Sequence, residues 1–317
     1  MLKSIVTSAV LAVCATVATA EPFKFVVLGD APYGKPEDVF APFEALIKQI
    51  NERDPALIIH VGDTKSGSTL CDKAMLDAQL GFLNSFKAPT LYSPGDNEWT
   101  DCHRAMAGKF DPLERLDYIR SNYYTEPSKS FGMMKADIVS QADAGYPENT
   151  RLQIQDVMFV ATHVVGSNNN FEIRELSAAE EFFARNAANI AWLEESFAAA
   201  DGTEAFVLAI HADMFEFDFA LPWDAEGFLR HSGFKSFAEK LMELSNAYGK
   251  PVMLTYGDSH KFRMFRPFPT KAPMIMAVET FGSKNMHALE ITVDTNASYP
   301  FSVAPLINQA IAKQPAG

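Results

Sequence analysis

The sequence predicts an α/β fold, and three observations support this. Over the first hundred residues, apolar β-rich runs alternate with amphipathic helical patterns. Several of these runs end in Gly-Asp or in a histidine, as buried strands do when their carboxyl ends form a ligand site. Residues 131–165 and 272–295 carry strand patterns without intervening helices, which predicts a second, mixed sheet.

Residues 1–20 have the pattern of an export signal. Lys3 lies near the start, residues 5–17 are largely apolar, and Ala18-Thr19-Ala20 is a small-x-small cleavage site. We expect cleavage after Ala20, a mature domain spanning 21–317, and a periplasmic or secreted protein. The apolar run is too short to span a bilayer, so no membrane anchor is expected. Lipidation at Cys14 is the alternative, although the preceding Val13 is larger than the residue usual there.

Five apolar runs are predicted as strands, each followed by a polar residue suited to chemistry. They are Phe23 to Leu28 before Asp30, Leu57 to Val61 before Asp63, Pro89 to Ser93 before Asp96, Phe206 to Ile210 before His211, and Val252 to Tyr256 before Asp258.

Helical patterns lie between these strands. Residues 39–50 share one apolar face, and Pro42 predicts a helix start close to it. A capping box, Ser177 to Glu180, predicts the start of another helix. The expected apolar stripe of that second helix is Phe183, Ala187, Ile190, Leu193 and Phe197. A third helix is predicted over 234–248, with Gly249 ending it.

Composition excludes some functional classes. The 317 residues include 27 Lys and Arg against 40 Asp and Glu, a net charge of −13, and 48% are hydrophobic. This is not the composition of a disordered chain. Without a Lys/Arg block, binding to nucleic acid through bulk charge is not expected, although a local cationic pocket stays open.

The residues that follow the strands predict a metal site. Collected at one edge of a sheet, the carboxylates would repel one another and lose hydration unless a cation offset them. Carboxylates with two imidazoles suit one or two divalent ions of Mn, Fe, Zn, Mg or Ca. A pair of such ions about 4 Å apart is used to cleave phosphate esters. The candidate ligands are Asp30, Asp63, Asp96 or Asn97, His211, Asp258 and His260.

The order of these blocks resembles the calcineurin-like metallophosphoesterase superfamily over residues 23–266. The resemblance implies a four-layer α/β/β/α sandwich of two mixed sheets flanked by helices. It also implies an enzyme that hydrolyses small phosphomonoesters or phosphodiesters with a metal-activated water at a mono- or dinuclear site. By resemblance, Asp63 bridges two metals, Asp30 and His260 bind the first, and Asp96 or Asn97, His211 and Asp258 bind the second.

The sequence departs from the family pattern at three blocks. Pro32 stands where a metal-binding histidine is usual, which leaves Tyr33 as a ligand or as a packing and hydrogen-bonding residue. Asn97 stands where a histidine usually assists the leaving group, and the nearby His103 and Arg104 are candidates for acid catalysis or phosphate binding, with a plain surface role for His103 as the alternative. Asp258 replaces another histidine. A weakened relative that binds a metal or phosphorylated ligand without turnover is therefore the alternative function.

Two cysteines remain after the leader, and we expect them to form a disulfide. An even pair in an exported protein is typical of a disulfide, with two free buried thiols as the alternative. Cys71 lies eight residues after Asp63 and Cys102 six after Asp96. Both therefore lie on loops that leave the same rim of the predicted sheet.

Overall fold

The computed structural model describes residues 20–215 and 225–312. The predicted leader therefore lies outside the described residues, apart from Ala20. Within the described ranges, twelve strands form two sheets. Their bounds are β1 (Phe23–Leu28), β2 (Leu57–His60), β3 (Thr90–Tyr92), β4 (Val139–Gln141), β5 (Tyr146–Ile154), β6 (Val157–Ala161), β7 (Ala205–Ala209), β8 (Val252–Tyr256), β9 (Arg263–Phe265), β10 (Ile275–Glu279), β11 (Ala288–Val293) and β12 (Phe301–Leu306).

Both sheets are mixed. The five-stranded sheet has the order β12-β11-β1-β2-β3, in which β1 to β3 are parallel and β11 and β12 are antiparallel additions. The seven-stranded sheet has the order β4-β5-β6-β7-β8-β10-β9, with a parallel centre from β6 to β10. The parallel strands of each sheet deliver their carboxyl ends to one edge, where ligands usually bind.

Helices cover the outer faces of both sheets. They are α1 (Pro36–Glu52), α2 (Lys73–Ser85), α3 (Pro112–Tyr123), α5 (Leu176–Ala199), α6 (Ala225–Tyr248) and the short α7 (Gln309–Ala312), whereas the single turn α4 (Gly166–Asn169) has positive φ values at Ser167, Asn168 and Asn169 and lies beside the ends of the parallel strands.

Three buried clusters define the layers. Phe25 and Ile59 of the first sheet pack against Phe159 and Val207 of the second. Residues of α1, such as Phe43, cover the other face of the first sheet. Residues of α5 and α6 cover the other face of the second sheet in a third cluster. The predicted four-layer α/β/β/α architecture of two mixed sheets flanked by helices is confirmed.

Three local predictions are wrong. Helix α1 begins at Pro36, six residues before Pro42, because a proline at the first turn also suits a helix start. In α5 the expected stripe is displaced, since Phe183 is 61% exposed while the buried face includes Phe182 and Arg185. The expected capping box is not used, since α5 begins at Leu176 with no side-chain cap.

The predicted end of the third helix is correct, although the helix begins at Ala225, nine residues before the predicted start. Helix α6 ends at Tyr248, and the following Gly249 has a φ of +69°. None of the helices in residues 20–215 and 225–312 is long and apolar enough to cross a bilayer.

Candidate metal centre

Six of the predicted ligands follow the carboxyl ends of five strands. They are Asp30 after β1, Asp63 after β2, Asp96 after β3, His211 after β7, and Asp258 with His260 after β8. The parallel direction of these strands within each sheet explains why one edge of the sandwich collects them.

The backbone turns sharply where these ligands begin. Asp30, Asp63 and His260 have φ values of 52°, 54° and 63°, a region that Asp, Asn and His enter more readily than other L-residues. At Gly62 the φ is +93°, and an added Cβ would lie 2.8 Å from Nδ1 of His211. Gly62 therefore allows the loop after β2 to approach the loop after β7, which belongs to the other sheet.

The ligand atoms form two overlapping groups. One group contains Asp30, Asp63 and His211, and the other contains Asp96, His211 and Asp258. Within each group the candidate ligand atoms lie within 4.8 Å of one another. Because His211 belongs to both groups, the groups are adjacent, as two ions acting on one phosphate require.

The imidazole of His211 is oriented for coordination through Nε2. It is fully buried, and its Nδ1 lies 2.8 Å from the carbonyl oxygen of Val61 and donates to it. Its Nε2 faces Asp96 Oδ1 at 3.2 Å and Asp63 Oδ1 at 3.4 Å. A backbone carbonyl on one ring nitrogen fixes the tautomer that offers the other nitrogen to a metal.

The burial and hydrogen-bond partners of the Asp30 carboxylate indicate whether a cation fits this site. Its carboxylate is fully buried, and Oδ2 has no hydrogen-bond partner within the described part of the chain. Oδ1 accepts the backbone N–H of Asp258 at 3.0 Å and lies 3.5 Å from Nε2 of His260. A buried, unpartnered carboxylate oxygen is costly unless a cation or proton offsets it. The donor set therefore fits a divalent ion.

The electrostatics of Asp63 and Asp258 agree with this, whereas at Asp96 burial is outweighed by the hydrogen bond from His211, which lowers the pKa of Asp96 to about 2. Burial, helped by Asp96, raises the pKa of Asp258 to about 7. Burial also raises the pKa of Asp63 well above its usual range, although the nearby His211 opposes the shift. Burial opposes the charge on His211, but Asp63 and Asp96 outweigh it and raise its pKa well above the usual range. Asp63 and Asp258 therefore hold charge poorly without a cation, which is the condition that a divalent ion relieves.

The structure distinguishes the positions of Asp96 and Asn97. Asp96 lies in the second ligand group, beside His211. Asn97 instead donates its backbone N–H to Asp63 Oδ1 at 3.0 Å and its side-chain amide to Asp63 Oδ2. The amide nitrogen of Asn97 thus faces the site, and an amide nitrogen is a donor rather than a metal ligand.

Tyr33 also contacts Asp63, at the block where Pro32 replaces a histidine. The phenol of Tyr33 donates to Asp63 Oδ2 and accepts from the amide of Asn97 at 2.7 Å. Its ring packs edge-on against His260, with 5.0 Å between centroids. Burial, followed by Asp63 and Asp30, raises the pKa of Tyr33 well above its usual range, which favours the neutral phenol. Of the two alternatives for Tyr33, the structure shows hydrogen bonding.

Supporting carboxylates hold the loops that carry the ligands. Glu98 is fully buried, and its Oε1 accepts from the Thr64 hydroxyl at 2.8 Å while Oε2 accepts from the Gly95 N–H at 3.1 Å. It therefore joins the loop after β2 to the loop after β3. The sequence motif contained Glu98 but gave no sign of this role, because the partner loop is distant in sequence.

A second support lies behind Asp258. The backbone N–H of Asp213 donates to Asp258 Oδ2 at 3.0 Å, and the side chain of Asp213 pairs with Arg263. Arg263 also pairs with the buried Glu279 at 2.6 Å, and Glu279 Oε1 accepts from the hydroxyl of Ser259 at 2.6 Å. Arg263 therefore joins Asp213 to Glu279. Nothing in its local sequence indicates that it braces the loop after β8.

The predicted catalytic residues lie beside a cleft next to the second ligand group. His103, Arg104 and Ser167 are among the lining residues of this cavity, which has a volume of about 760 Å³. Nδ1 of His103 lies 2.6 Å from the Thr100 carbonyl oxygen. Arg104 pairs with Asp101 at 2.5 Å. The structure therefore places His103 and Arg104 at the edge of the site rather than among the ligand groups.

The disulfide between Cys71 and Cys102 is present, and its prediction is confirmed. The two Cα atoms are 5.7 Å apart, and both side chains are fully buried. The bond joins the segment before α2 to the short 3-10 helix Thr100–His103, which precedes Arg104. It therefore connects two loops on the same rim as the ligands.

Comparison with solved structures finds similar folds at low identity. A dimetal phosphatase from Danio rerio superposes with a TM-score of 0.54 at 9% identity, covering 90% of this chain and 99% of that one. A purple acid phosphatase from yellow lupin (Lupinus luteus) seeds superposes with a TM-score of 0.52 at 10% identity. That match covers 91% of this chain and 54% of the lupin chain, so this chain spans about half of that protein.

No family model and no curated protein sequence matches the chain. At these identities the structural matches establish the fold alone. The chain therefore shares the α/β/β/α fold of these two phosphatases, and within the described residues two groups of candidate metal ligands lie at the edge where its parallel strands end.

Proposed function

We propose that this chain is an exported, metal-dependent phosphoesterase acting on small phosphate esters. The observation that carries the proposal is the pair of adjacent ligand groups that share His211, the first of which includes Asp30, whose buried Oδ2 has no hydrogen-bond partner among the described residues. Four carboxylates and two imidazoles provide an oxygen-rich donor set, which suits harder divalent ions such as Mn, Fe or Mg as well as Zn.

The residues divide between two cation positions. Asp30 and Asp63, with His260 3.5 Å from Asp30, would hold one ion, and Asp96, His211 and Asp258 would hold the other. Divalent ions bound there supply Lewis-acid stabilisation of phosphoryl charge and a water of lowered pKa. Tyr33 and Asn97 keep the carboxylate of Asp63 in a fixed plane by donating to its oxygens.

Arg104 and His103 are placed to act on the rest of the ester. An added Cβ at Gly67 would lie 2.6 Å from Asn97 Oδ1 and 2.8 Å from Arg104 Nη1, so these two groups approach the same point. A guanidinium next to Asn97 can donate to phosphoryl oxygens that the cations leave free. His103 donates through Nδ1 to a carbonyl, so its Nε2 is the nitrogen available to exchange a proton with the leaving oxygen.

Two features support export: residues 1–20 have the pattern of a leader, and the disulfide is typical of proteins in oxidising compartments. Disulfides persist in oxidising compartments, and Cys71 pairs with Cys102 in the structure. Mass spectrometry of the protein recovered from the compartment tests this proposal. An N-terminus at Glu21 is the expected result, and a chain retaining residues 1–20 would refute cleavage.

The activity is tested with residues 21–317 and chromogenic phosphate monoesters and diesters. Turnover is measured after metal removal and again with added Mn, Zn, Fe, Mg or Ca. We expect metal-dependent hydrolysis that Asp63→Asn reduces by at least about a hundredfold, because Asp63 is central to the donor set.

Asp54→Asn is a matched control. Asp54 has a φ of 49°, close to the 54° of Asp63, but it precedes β2 and so lies at the opposite end of that strand. Asn tolerates this backbone conformation at both positions. Equal turnover of the Asp63→Asn variant and the wild type would reject the proposed site.

A second candidate function is metal or phosphate binding without turnover, and the contacts of Asp63 favour it. Both oxygens of Asp63 already accept hydrogen bonds, from Tyr33 and Asn97. Such donors compete with a bridging cation for the same lone pairs. Stoichiometric Mn²⁺ binding with no hydrolysis of either ester would favour this candidate over the enzyme.

A further inference from the structure

A left-handed turn lies at the edge of the metal centre. Four consecutive residues, Ser167 to Asn170, have φ values of 52°, 55°, 57° and 59°. L-residues adopt this conformation singly, and a run of four is unfavourable. Strained backbone persists where the surrounding structure enforces it, and such places are often functional.

Arg185 on α5 forms hydrogen bonds with the left-handed turn and the residues before it. Its side chain is fully buried, and Nη1 donates to the carbonyl of His163 at 2.8 Å and to Asn169 Oδ1 at 2.6 Å. Nη2 donates to the Asn169 carbonyl at 3.0 Å, and Nε pairs with Glu181 at 2.6 Å. One guanidinium therefore satisfies both the side chain and the backbone of the turn.

Helix α6 also forms hydrogen bonds with the left-handed turn, through the backbone of Gly233. The N–H of Gly233 donates to Asn168 Oδ1 at 2.8 Å, and its carbonyl accepts from Asn169 Nδ2 at 3.1 Å. A Cβ added at Gly233 would lie 2.1 Å from the carbonyl oxygen of Asn168, so only glycine permits this approach. The turn is thus fixed by two helices that contribute no ligand to the metal centre.

The fixed turn presents Gly166 and Ser167 to the second ligand group. A Cβ added at Gly166 would lie 2.7 Å from Asp96 Oδ2 and 3.1 Å from both Asp258 oxygens. The hydroxyl of Ser167 donates to Asp96 Oδ2 at 3.3 Å. The other oxygen of Asp96 faces His211 Nε2 at 3.2 Å. The two oxygens of Asp96 therefore have different partners, one inside the ligand group and one on the turn.

We propose that Ser167 is a positioning residue for the second cation: the left-handed turn, held by Arg185 and α6, places its hydroxyl to orient the carboxylate of Asp96. This inference rests on the proposed function, since it presumes that Asp96 binds a cation. Hydrogen-bond partners of metal ligands set ligand orientation, and their loss typically weakens metal affinity by about 10-fold to 100-fold.

The test compares Mn²⁺ binding by the metal-free wild type and by Ser167→Gly, using calorimetry together with the electron paramagnetic resonance signal of free Mn²⁺. Glycine removes the hydroxyl but accepts a positive φ, so the metal-free variant should unfold at a temperature no lower than the wild type. We expect one Mn²⁺ site to weaken by about tenfold or more. Ser167→Ala, which retains Cβ, should show the same loss of affinity if the hydroxyl is responsible.

Gln155→Gly is the matched control. Gln155 has a φ of 52° in the turn between β5 and β6, at the end of β6 opposite to the site. The Gln155→Gly substitution relieves the same kind of backbone strain as Ser167→Gly and should leave Mn²⁺ affinity unchanged. If the wild type binds Mn²⁺ and the Mn²⁺ affinity of Ser167→Gly is within twofold of the wild-type affinity, the positioning role of Ser167 is overturned but the metal centre is not. A wild type that binds neither Mn²⁺ nor Zn²⁺ would overturn the metal centre and this role together.

Discussion

Removal of the Cys71–Cys102 disulfide should lower stability by an amount that follows from its position in the chain. The sequence separation of the two cysteines is 31 residues. On the chain-entropy model, a loop of that length restricts the unfolded chain by about 3.7 kcal/mol at 25 °C. For a domain of about 300 residues, this corresponds to a fall of roughly 6 °C in Tm.

The contacts around the disulfide indicate that this loss arises mainly in the unfolded chain. The N–H of Cys71 donates to the carbonyl of Ala107 at 2.9 Å, and Arg115 Nη1 donates to the carbonyl of Cys71 at 3.0 Å. The N–H of Phe110 donates to the carbonyl of Cys102 at 2.9 Å. These hydrogen bonds do not require the sulfur–sulfur bond. The native loops should therefore persist after its loss, and ester turnover at 25 °C should change little.

The assay is urea unfolding of the oxidised wild type and of Cys71→Ala/Cys102→Ala. Wild type refolded in reductant is the control, because it keeps both sulfur atoms and lacks only the bond. Agreement between the reduced wild type and the double variant would assign the loss to the cross-link rather than to the cavity. A difference of less than about 1 kcal/mol between the oxidised and reduced wild type would refute the reasoning.

Three further predictions concern the site and its surroundings. Gly166→Ala should lower bound metal per chain and reduce turnover by about tenfold or more, because its Cβ would lie 2.7 Å from Asp96 Oδ2; metal analysis of the folded variant checks this. Arg104→Ala should reduce kcat/KM for a phosphate monoester by about 10-fold to 100-fold, mainly through KM, since a charge-assisted hydrogen bond is worth roughly 1.5–3 kcal/mol; unchanged KM would contradict it. Burial lowers the pKa values of His60 and His163 to about 4 each, so the unfolded chain gains protons first and stability should fall by up to roughly 3 kcal/mol per histidine between pH 6.5 and 4; urea midpoints that stay constant over this range would contradict that.

The strand ends could be predicted from sequence because the signal is local. An apolar run followed by Gly-Asp combines a buried strand with a residue that turns the backbone back, and both properties lie within a few residues. Gly62-Asp63 shows this well, since the glycine φ of +93° and the aspartate φ of 54° occur side by side. The choice between Asp96 and Asn97 could not be made in the same way, because it depends on which side chain meets His211 from the other sheet.

The buried face of α5 shows why a hydrophobic pattern can mislead. The apolar period assigned Phe183 and Ala187 to the core, and both are exposed. Arg185 and Asn189 are fully buried instead, and both donate to the carbonyl of His163. A buried polar residue with distant partners looks like a surface residue in the sequence. The apolar pattern of α5 therefore does not indicate the helix face that supports the site.

Hydrogen-bond donors stand at two positions where the sequence departs from the metallophosphoesterase pattern that it resembles. At two blocks where a histidine is usual, Pro32 with Tyr33 and then Asn97 occur, and both Tyr33 and Asn97 donate to Asp63. Near the second ligand group, the hydroxyl of Ser167 donates to Asp96. Hydrogen-bond donors thus surround carboxylates that would otherwise rely more on cations for compensation. A donor fixes the orientation of a carboxylate but offsets less of its charge than a divalent ion does. This centre should therefore depend on its metal for charge compensation while keeping its geometry without it, and the metal-free protein should retain its fold.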